Sequence, residues 1–265
     1  MIPDIMEKTR RRVSARFLSG SGIELGALVS PLWVGRGVQV RYVDRLTVDG
    51  LRRQYPTLPA EELTGVDVVD DGECLQSFGE GSLDFIIANH FLEHCENPLG
   101  AMRNHLARVR LGGYLYYAVP DKRFTFDLAR PLTDFDHLVR DDREGPEWSR
   151  PGHFLEYARL VDGAPDADAQ ARHLRDVGYS IHFHVWDLPR FQEILGKAWE
   201  YLGRTFSVEW FQENHGEIIV VLKRTRPRSR MMHAPRQVAI TLLAGRLRRL
   251  AGRLLRSQLG GRGRR

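Results

Sequence analysis

The chain has 265 residues, 42% of them hydrophobic, with 39 Lys and Arg, 34 Asp and Glu, and a formal net charge of +5. That length suits one large α/β domain or a domain with additions, and no stretch approaches the roughly 18 uninterrupted apolar residues of a membrane span. Residues 224–265 hold 13 arginines and no acid, which leaves 26 basic and 34 acidic residues in 1–223, so a nucleic-acid reading of the whole chain would rest on its tail alone.

Residues 4–18 predict a polar helix. Lys8, Arg10, Arg11 and Arg12 in it are followed by no apolar block, so the N-terminus does not read as a secretory signal. Gly22-Ile23-Glu24-Leu25-Gly26 is a short apolar run closed by glycine and predicts a strand and its turn into a helix. Residues 38–43 predict a second strand ending at Asp44, and residues 47–54 a helix. Residues 66–69 and 83–88 predict the third and fourth strands. Asn97-Pro98 supplies an N-cap and a first-turn proline for a helix to about Arg110. Gly112-Gly113 should end that helix, and residues 114–119 predict the fifth strand. A helix over 188–202 and strands over 205–211 and 217–222 complete the series. Alternating strands and helices give an α/β fold with a Rossmann-like, doubly wound, seven-stranded sheet, mostly parallel with an antiparallel edge strand.

Residues 121–184 break the rhythm. They hold 13 acidic residues and five of the ten histidines, and they are too long for a structureless loop. They predict an insertion with short helices over the carboxyl ends of the strands, an acceptor-binding lid within a domain covering 1–223. Residues 224–265 read as an Arg-rich linker and a basic amphipathic helix at 237–259, with Leu243, Leu247, Leu250 and Leu254 on one face. Such a helix suits an anionic membrane surface or a partner such as a glycosyltransferase, without specific nucleic-acid contact. Cys74 and Cys95 stand apart from any CxxC pattern and read as free thiols of a reducing cytosol, which places the chain in the cytoplasm, peripheral at the inner membrane face if the tail binds there.

Glu24-Leu25-Gly26, with Asp44 ending the next strand about twenty residues on, has the form of a nucleotide site. Glycine lets a ligand approach the backbone, and an acid on the second strand accepts from ribose hydroxyls. Asp71-Gly72 after the third strand, Ala88-Asn89-His90-Phe91-Leu92-Glu93-His94 after the fourth, and Leu111-Gly112-Gly113 with Val119-Pro120 on the fifth extend the series. In this order and spacing the sequence resembles the class I S-adenosylmethionine-dependent methyltransferases (type 11-like). The resemblance covers roughly residues 20–120, with a compatible end at 187–223. It is strongest to a branch linked to bacterial surface-polysaccharide synthesis, through the runs Pro120 to Thr133, His137 to His153 and His182 to Trp186. It implies S-adenosyl-L-methionine as cofactor, with contacts at Glu24, Gly26, Asp44, Asp71 and Asn89, and Ala27, Gly72 and His94 beside them. Leu28 and Ser30 stand where many relatives have further glycines.

The resemblance implies O-methylation of a carbohydrate hydroxyl in a surface glycan or its precursor. A non-sugar small-molecule acceptor and an inactive scaffold subunit of a glycan-assembly complex are the alternatives. A hydroxyl acceptor calls for a base within hydrogen-bond reach. His137, His153, His182 and His184 are the candidates, with Asp121 at the end of the fifth strand, and Asp141 and Glu156 for acceptor binding. His182 and His184 would share a face if the segment is a strand. An H-x-H pair with a third histidine and an aspartate can also bind a divalent ion, but the spacing matches no closed zinc signature, and no metal site is assigned.

Overall fold

A computed structural model describes residues 4–227 of the chain; the predicted basic helix at 237–259 lies outside them. The seven strands are β1 (Ser21–Leu25), β2 (Gln39–Asp44), β3 (Val68–Val69), β4 (Leu83–Asn89), β5 (Val109–Pro120), β6 (Phe206–Asn214) and β7 (Glu217–Arg224). They form one sheet in the order β3-β2-β1-β4-β5-β7-β6. β1 to β5 pair in parallel, and β7 runs antiparallel between β5 and β6. The order reverses between β1 and β4, which opens a crevice at the carboxyl ends of the strands, where ligands of such sheets bind.

Helices cover the two faces unequally. On one face α3 (Pro98–Arg108), α4 (Phe135–Glu144) and α7 (Leu188–Tyr201) pack against alternate residues of the central strands, among them Ile86, Leu115, Val119 and Val220. On the other, α1 (Asp4–Phe17) lays Val13 on Phe85, Ile87, Tyr116 and Ile219 beside Leu32. Local chemistry explains the helix starts. The Thr47 and Asn97 side chains accept from the backbone of Gly50 in α2 (Val48–Gln54) and of Gly100, and Pro98 opens α3 where no amide bond is lost.

Two expectations need correction. No helix follows β1. Residues 26–38 pass to β2 as an irregular segment, interrupted by Pro31, Gly35 and Gly37 and held by Glu24, whose two carboxylate oxygens accept from Leu32 N at 2.9 and 3.0 Å. Gly112-Gly113 also do not end α3. The helix stops at Arg108, and the glycines lie inside β5. A Cβ on Gly113 would stand 2.5 Å from the Asp84 carbonyl oxygen, so glycine is what lets β5 run close beside β4.

The 121–187 segment carries α4, α5 (Arg150–Leu160) and α6 (Ala167–Asp176), as the sequence predicts. It has a small core of its own, built from Phe154, Tyr157, Leu174, Ile181 and Phe183. Residues 179–187 form no strand. They make a strap across the strand ends, bonding Phe183 N to Glu93 O at 2.7 Å and Lys122 N to Trp186 O at 2.9 Å.

Candidate active site

The parallel register brings Gly26, Asp44, Asp71 and Asn89 to one edge, with Asp44 and Asn89 ending β2 and β4 and Gly26 and Asp71 just past β1 and β3. Gly26 holds φ +60, and a Cβ there would meet nothing within 4 Å, so the backbone faces open space. Asp44 is half-buried. Its Oδ1 accepts from Leu46 N at 3.2 Å, and burial raises the carboxyl above its ordinary value. Both amide atoms of Asn89 are buried without a hydrogen-bond partner, a state that calls for a ligand or a bound water. An open glycine turn, an acid at the second strand and an orphaned amide at the fourth fit a nucleoside-bearing cofactor.

The remaining cofactor candidates serve the frame as well. Burial pushes Glu24 up to about 7, and its carboxylate is already committed to Leu32. Asp71 turns the chain by accepting from Glu73 N at 2.8 Å. Gly72 is required by the Phe91 ring, which a Cβ would approach to 2.6 Å. Ala27 O accepts from Ser30 N at 2.8 Å. Leu28 holds φ +46, a left-handed backbone that favours glycine, so the loop keeps a glycine-like course with a leucine in place.

Sequence reasoning gave His105 no role. Its Nε2 lies 2.7 Å from Gly72 O and its Nδ1 2.9 Å from the Tyr117 hydroxyl. A carbonyl only accepts, so Nε2 carries the proton and Nδ1 takes the tyrosine's. Burial lowers this imidazole to about 4, which keeps it neutral. It fixes the turn after β3.

His90, at φ +48 just past β4, stands between two buried carboxylates. Its Nε2 is 3.0 Å from Glu217 and its Nδ1 3.4 Å from Glu93. Burial works to lower the imidazole, but the two acids prevail and hold it at about 9. Glu217 also takes a paired contact from Arg10 on α1 and a bond from Asn214 at 2.6 Å. Burial opposes its charge, yet Arg10 and His90 hold it down to about 2. A group raised in the folded state gives stability that is present below its unfolded value and lost as pH rises through its folded one. For His90 the window runs from 6.5 to about 9. The melting temperature is therefore expected to fall across that range, and less steeply in His90→Gln; parallel curves in thermal scans would refute the charge assigned to His90.

The histidines of the 121–187 segment divide into two groups. His182 and His184 do not share one environment, because the strap that carries them is not a strand. His182 Nδ1 donates to Asp127 Oδ2 at 2.6 Å, with its ring 4.7 Å from those of Phe126 and His94. Burial pushes Asp127 upward, but His182 and Arg130 hold it below the usual carboxylate range. Arg130 is fully buried and also binds Glu156 and the His182 carbonyl, each at 2.8 Å. Glu93, His94 and His182 can bring one ligand atom each within 4.8 Å of the others, so the dyad adjoins the strand end through Glu93. His94 itself is turned to Ile181 O at 2.9 Å. In the second group, His184 joins His137, His153 and Asp141. Asp121 stands apart from both. Its carboxylate is buried under Arg123 and accepts from Leu188 N at 3.1 Å, capping α7.

Of the aromatic residues in the segment, Tyr157, Phe183 and Trp186 are buried; Phe126, 54% exposed, lies against the His182 ring, whereas Phe124, 64% exposed, lies at the Gly216 turn.

The sequence model of a family described as a methyltransferase domain matches residues 44–203, from the last residue of β2 onward. No curated protein matches the chain. Among solved structures, a SAM-dependent methyltransferase from Aquifex aeolicus is 12% identical, covers 83% of this chain and 89% of its own, and has a TM-score of 0.45. SAM-dependent methyltransferases from Methanosarcina mazei are 12% identical over 79% of this chain and 95% of theirs, with a TM-score of 0.43. A Rhodobacter sphaeroides protein named for Zn-dependent alcohol dehydrogenases is 13% identical over 82% and 88%, with a TM-score of 0.48. Likeness at this level carries no argument about activity.

Proposed function

The chain belongs to the methyltransferase-domain family, and from that premise we propose that it methylates a carbohydrate hydroxyl, in a surface glycan or its precursor. S-adenosylmethionine supplies the methyl group as an electrophilic sulfonium carbon. Gly26, Asp44 and Asn89 would hold it at the strand ends, with His105 keeping the turn at Gly72 in place.

The reading is carried by the His182–Asp127 pair and the exposed Phe126 ring beside it. An ionised carboxylate only accepts, so Asp127 keeps the His182 proton on Nδ1 and leaves the Nε2 lone pair for a proton from the acceptor. Arg130 holds Asp127 charged throughout. Removal of the hydroxyl proton at this position contributes roughly 10²–10⁴-fold to a rate. Phe126 offers an apolar face of the kind that stacks on sugar rings. Glu93, four residues past Asn89, comes within 4.8 Å of the His182 ring nitrogen. His137, His153 and His184 face one another instead, which leaves them less suited to this work.

His182→Gln is expected to lower kcat roughly a hundredfold or more while leaving the dissociation constant for S-adenosylmethionine unchanged. The assay is transfer of labelled methyl from the donor to a panel of saccharides, nucleotide sugars and non-sugar alcohols. Full kcat in the variant would remove His182 from the chemistry, and transfer only to non-sugar alcohols would remove the carbohydrate. Cofactor binding without transfer to any acceptor would favour the scaffold alternative.

No helix among the described residues is long and apolar enough to cross a membrane. We assign contact with an anionic membrane surface to the basic sequence at 237–259. Removal of residues 228–265, which leaves β7 whole, is expected to weaken sedimentation with anionic vesicles; undiminished binding would reject that contact.

A further inference from the structure

We propose that His137, Asp141, His153 and His184 bind one zinc ion that staples the 121–187 segment together. Each residue brings one ligand atom, and all four atoms lie within 4.8 Å of one another. His137 Nε2 is 3.0 Å from His153 Nε2 and 3.2 Å from Asp141 Oδ2, and His184 Nε2 is 3.7 Å from the same oxygen. Ligands at roughly 2.0–2.1 Å in a tetrahedron stand roughly 3.3 Å apart, which these separations bracket. Three imidazoles and one carboxylate are a ligand set that zinc accepts.

Hydrogen bonds alone do not satisfy the cluster. One proton between His137 Nε2 and His153 Nε2 satisfies their 3.0 Å contact, but Asp141 Oδ2, 3.2 Å from the same His137 nitrogen, takes no hydrogen bond from it. Asp141 Oδ2 and His184 Nδ1 are buried without a hydrogen-bond partner. Asp141 is fully buried and His184 is 1% exposed. A cation at the centre would give Asp141 Oδ2 a partner and draw one nitrogen from each imidazole; His184 Nε2 also lies 3.4 Å from Glu96 O.

The supporting shell fits the same reading. His137 and Asp141 are four apart on α4 and share one face. Ser149 donates to Asp141 Oδ1 at 2.7 Å, fixing the carboxylate with Oδ2 turned inward. His137 lines a cleft of about 450 Å³ with Asp134, Arg140 and Trp148, which gives an ion its way in. The other histidine–carboxylate group differs. His94 and His182 direct their Nδ1 atoms to Ile181 O and Asp127, and it offers three ligands rather than four.

Zinc here would join α4, the first turn of α5 and the strap. The strap also carries His182, two residues from the ligand His184. The proposal stands whatever the acceptor is, because it is read by metal content rather than by turnover.

The test uses the full chain purified without chelators. Elemental analysis is expected to find about one zinc per chain, and cobalt in its place should give the visible spectrum of a four-coordinate nitrogen–oxygen site. Chelation should lower the melting temperature, and added zinc should restore it. His153→Ala should lose most of the zinc, whereas His215→Ala, outside the cluster, should retain it. If His153→Ala does not fold, the cobalt spectrum and the zinc-reversible melting shift of the unmodified chain decide. A chain that carries no zinc and takes up neither metal, a six-coordinate cobalt spectrum, or full zinc content in folded His153→Ala would each overturn the proposal.

Discussion

Replacing Glu217 by alanine is expected to destabilise the fold by about 3–5 kcal/mol, because it leaves the buried Arg10 cation without its paired anion. Glu217 is fully buried, and Arg10, 3% exposed, donates to both of its oxygens. His90 and Asn214 bind it as well. Removing the carboxylate takes from the Arg10 guanidinium its directly bonded anion and from His90 one of the two acids that raise it. Equilibrium unfolding in urea measures the loss. Glu217→Gln should recover only part of it, since an amide supplies an acceptor but no charge. A drop of under about 1 kcal/mol for alanine, the level of an exposed pair, would show that Arg10 finds water instead.

The second large effect falls on cofactor affinity. Asp44→Ala should weaken S-adenosylmethionine and S-adenosylhomocysteine binding by about 10–100-fold. That follows from the roughly 1.5–3 kcal/mol carried by hydrogen bonds to a charged group. The carboxyl ends β2, and burial already raises it. A ligand hydroxyl there replaces water that the carboxylate has partly lost. Calorimetric titration reads the change, and equal affinity in the variant would place the ribose elsewhere.

The two effects mark what was legible in the sequence. Asp44 could be found because its chemistry is local: an apolar run, an acid at its end, and a glycine turn about twenty residues earlier. The helix starts at Thr47 and Asn97 and the strands at 83–89 and 217–224 are local in the same way, since caps and apolar runs act over a few residues. Glu217 could not be found, because its meaning lies in Arg10 and His90, which β7 meets only after inserting beside β5. The same holds for His105, whose partners are a carbonyl 33 positions away and a hydroxyl 12 away. The H-x-H pair was misjudged for a different reason. Alternation of side chains assumes a strand, and the strap is anchored by Glu93 O and Thr133 rather than by a neighbouring strand. The missing helix after β1 belongs here too. Pro31 and the glycines at 35 and 37 spoke against a helix, but the glycine turn suggested one, and the family match begins only at Asp44.

The contact between Arg10 and Glu217 spans 207 positions. It therefore has a consequence in time. Synthesis from the N-terminus exposes α1, the β4 end and the strap long before β7 exists, and β7 must then enter between β5 and β6. Until it does, His90 lacks one of its two acids and the α1 cation lacks its paired anion. Closing so distant a pair is slow relative to local helix formation, so the last strand to be made is the one that completes the catalytic edge. A chain stalled before residue 217 would carry every cofactor residue named above and still present an unfinished site.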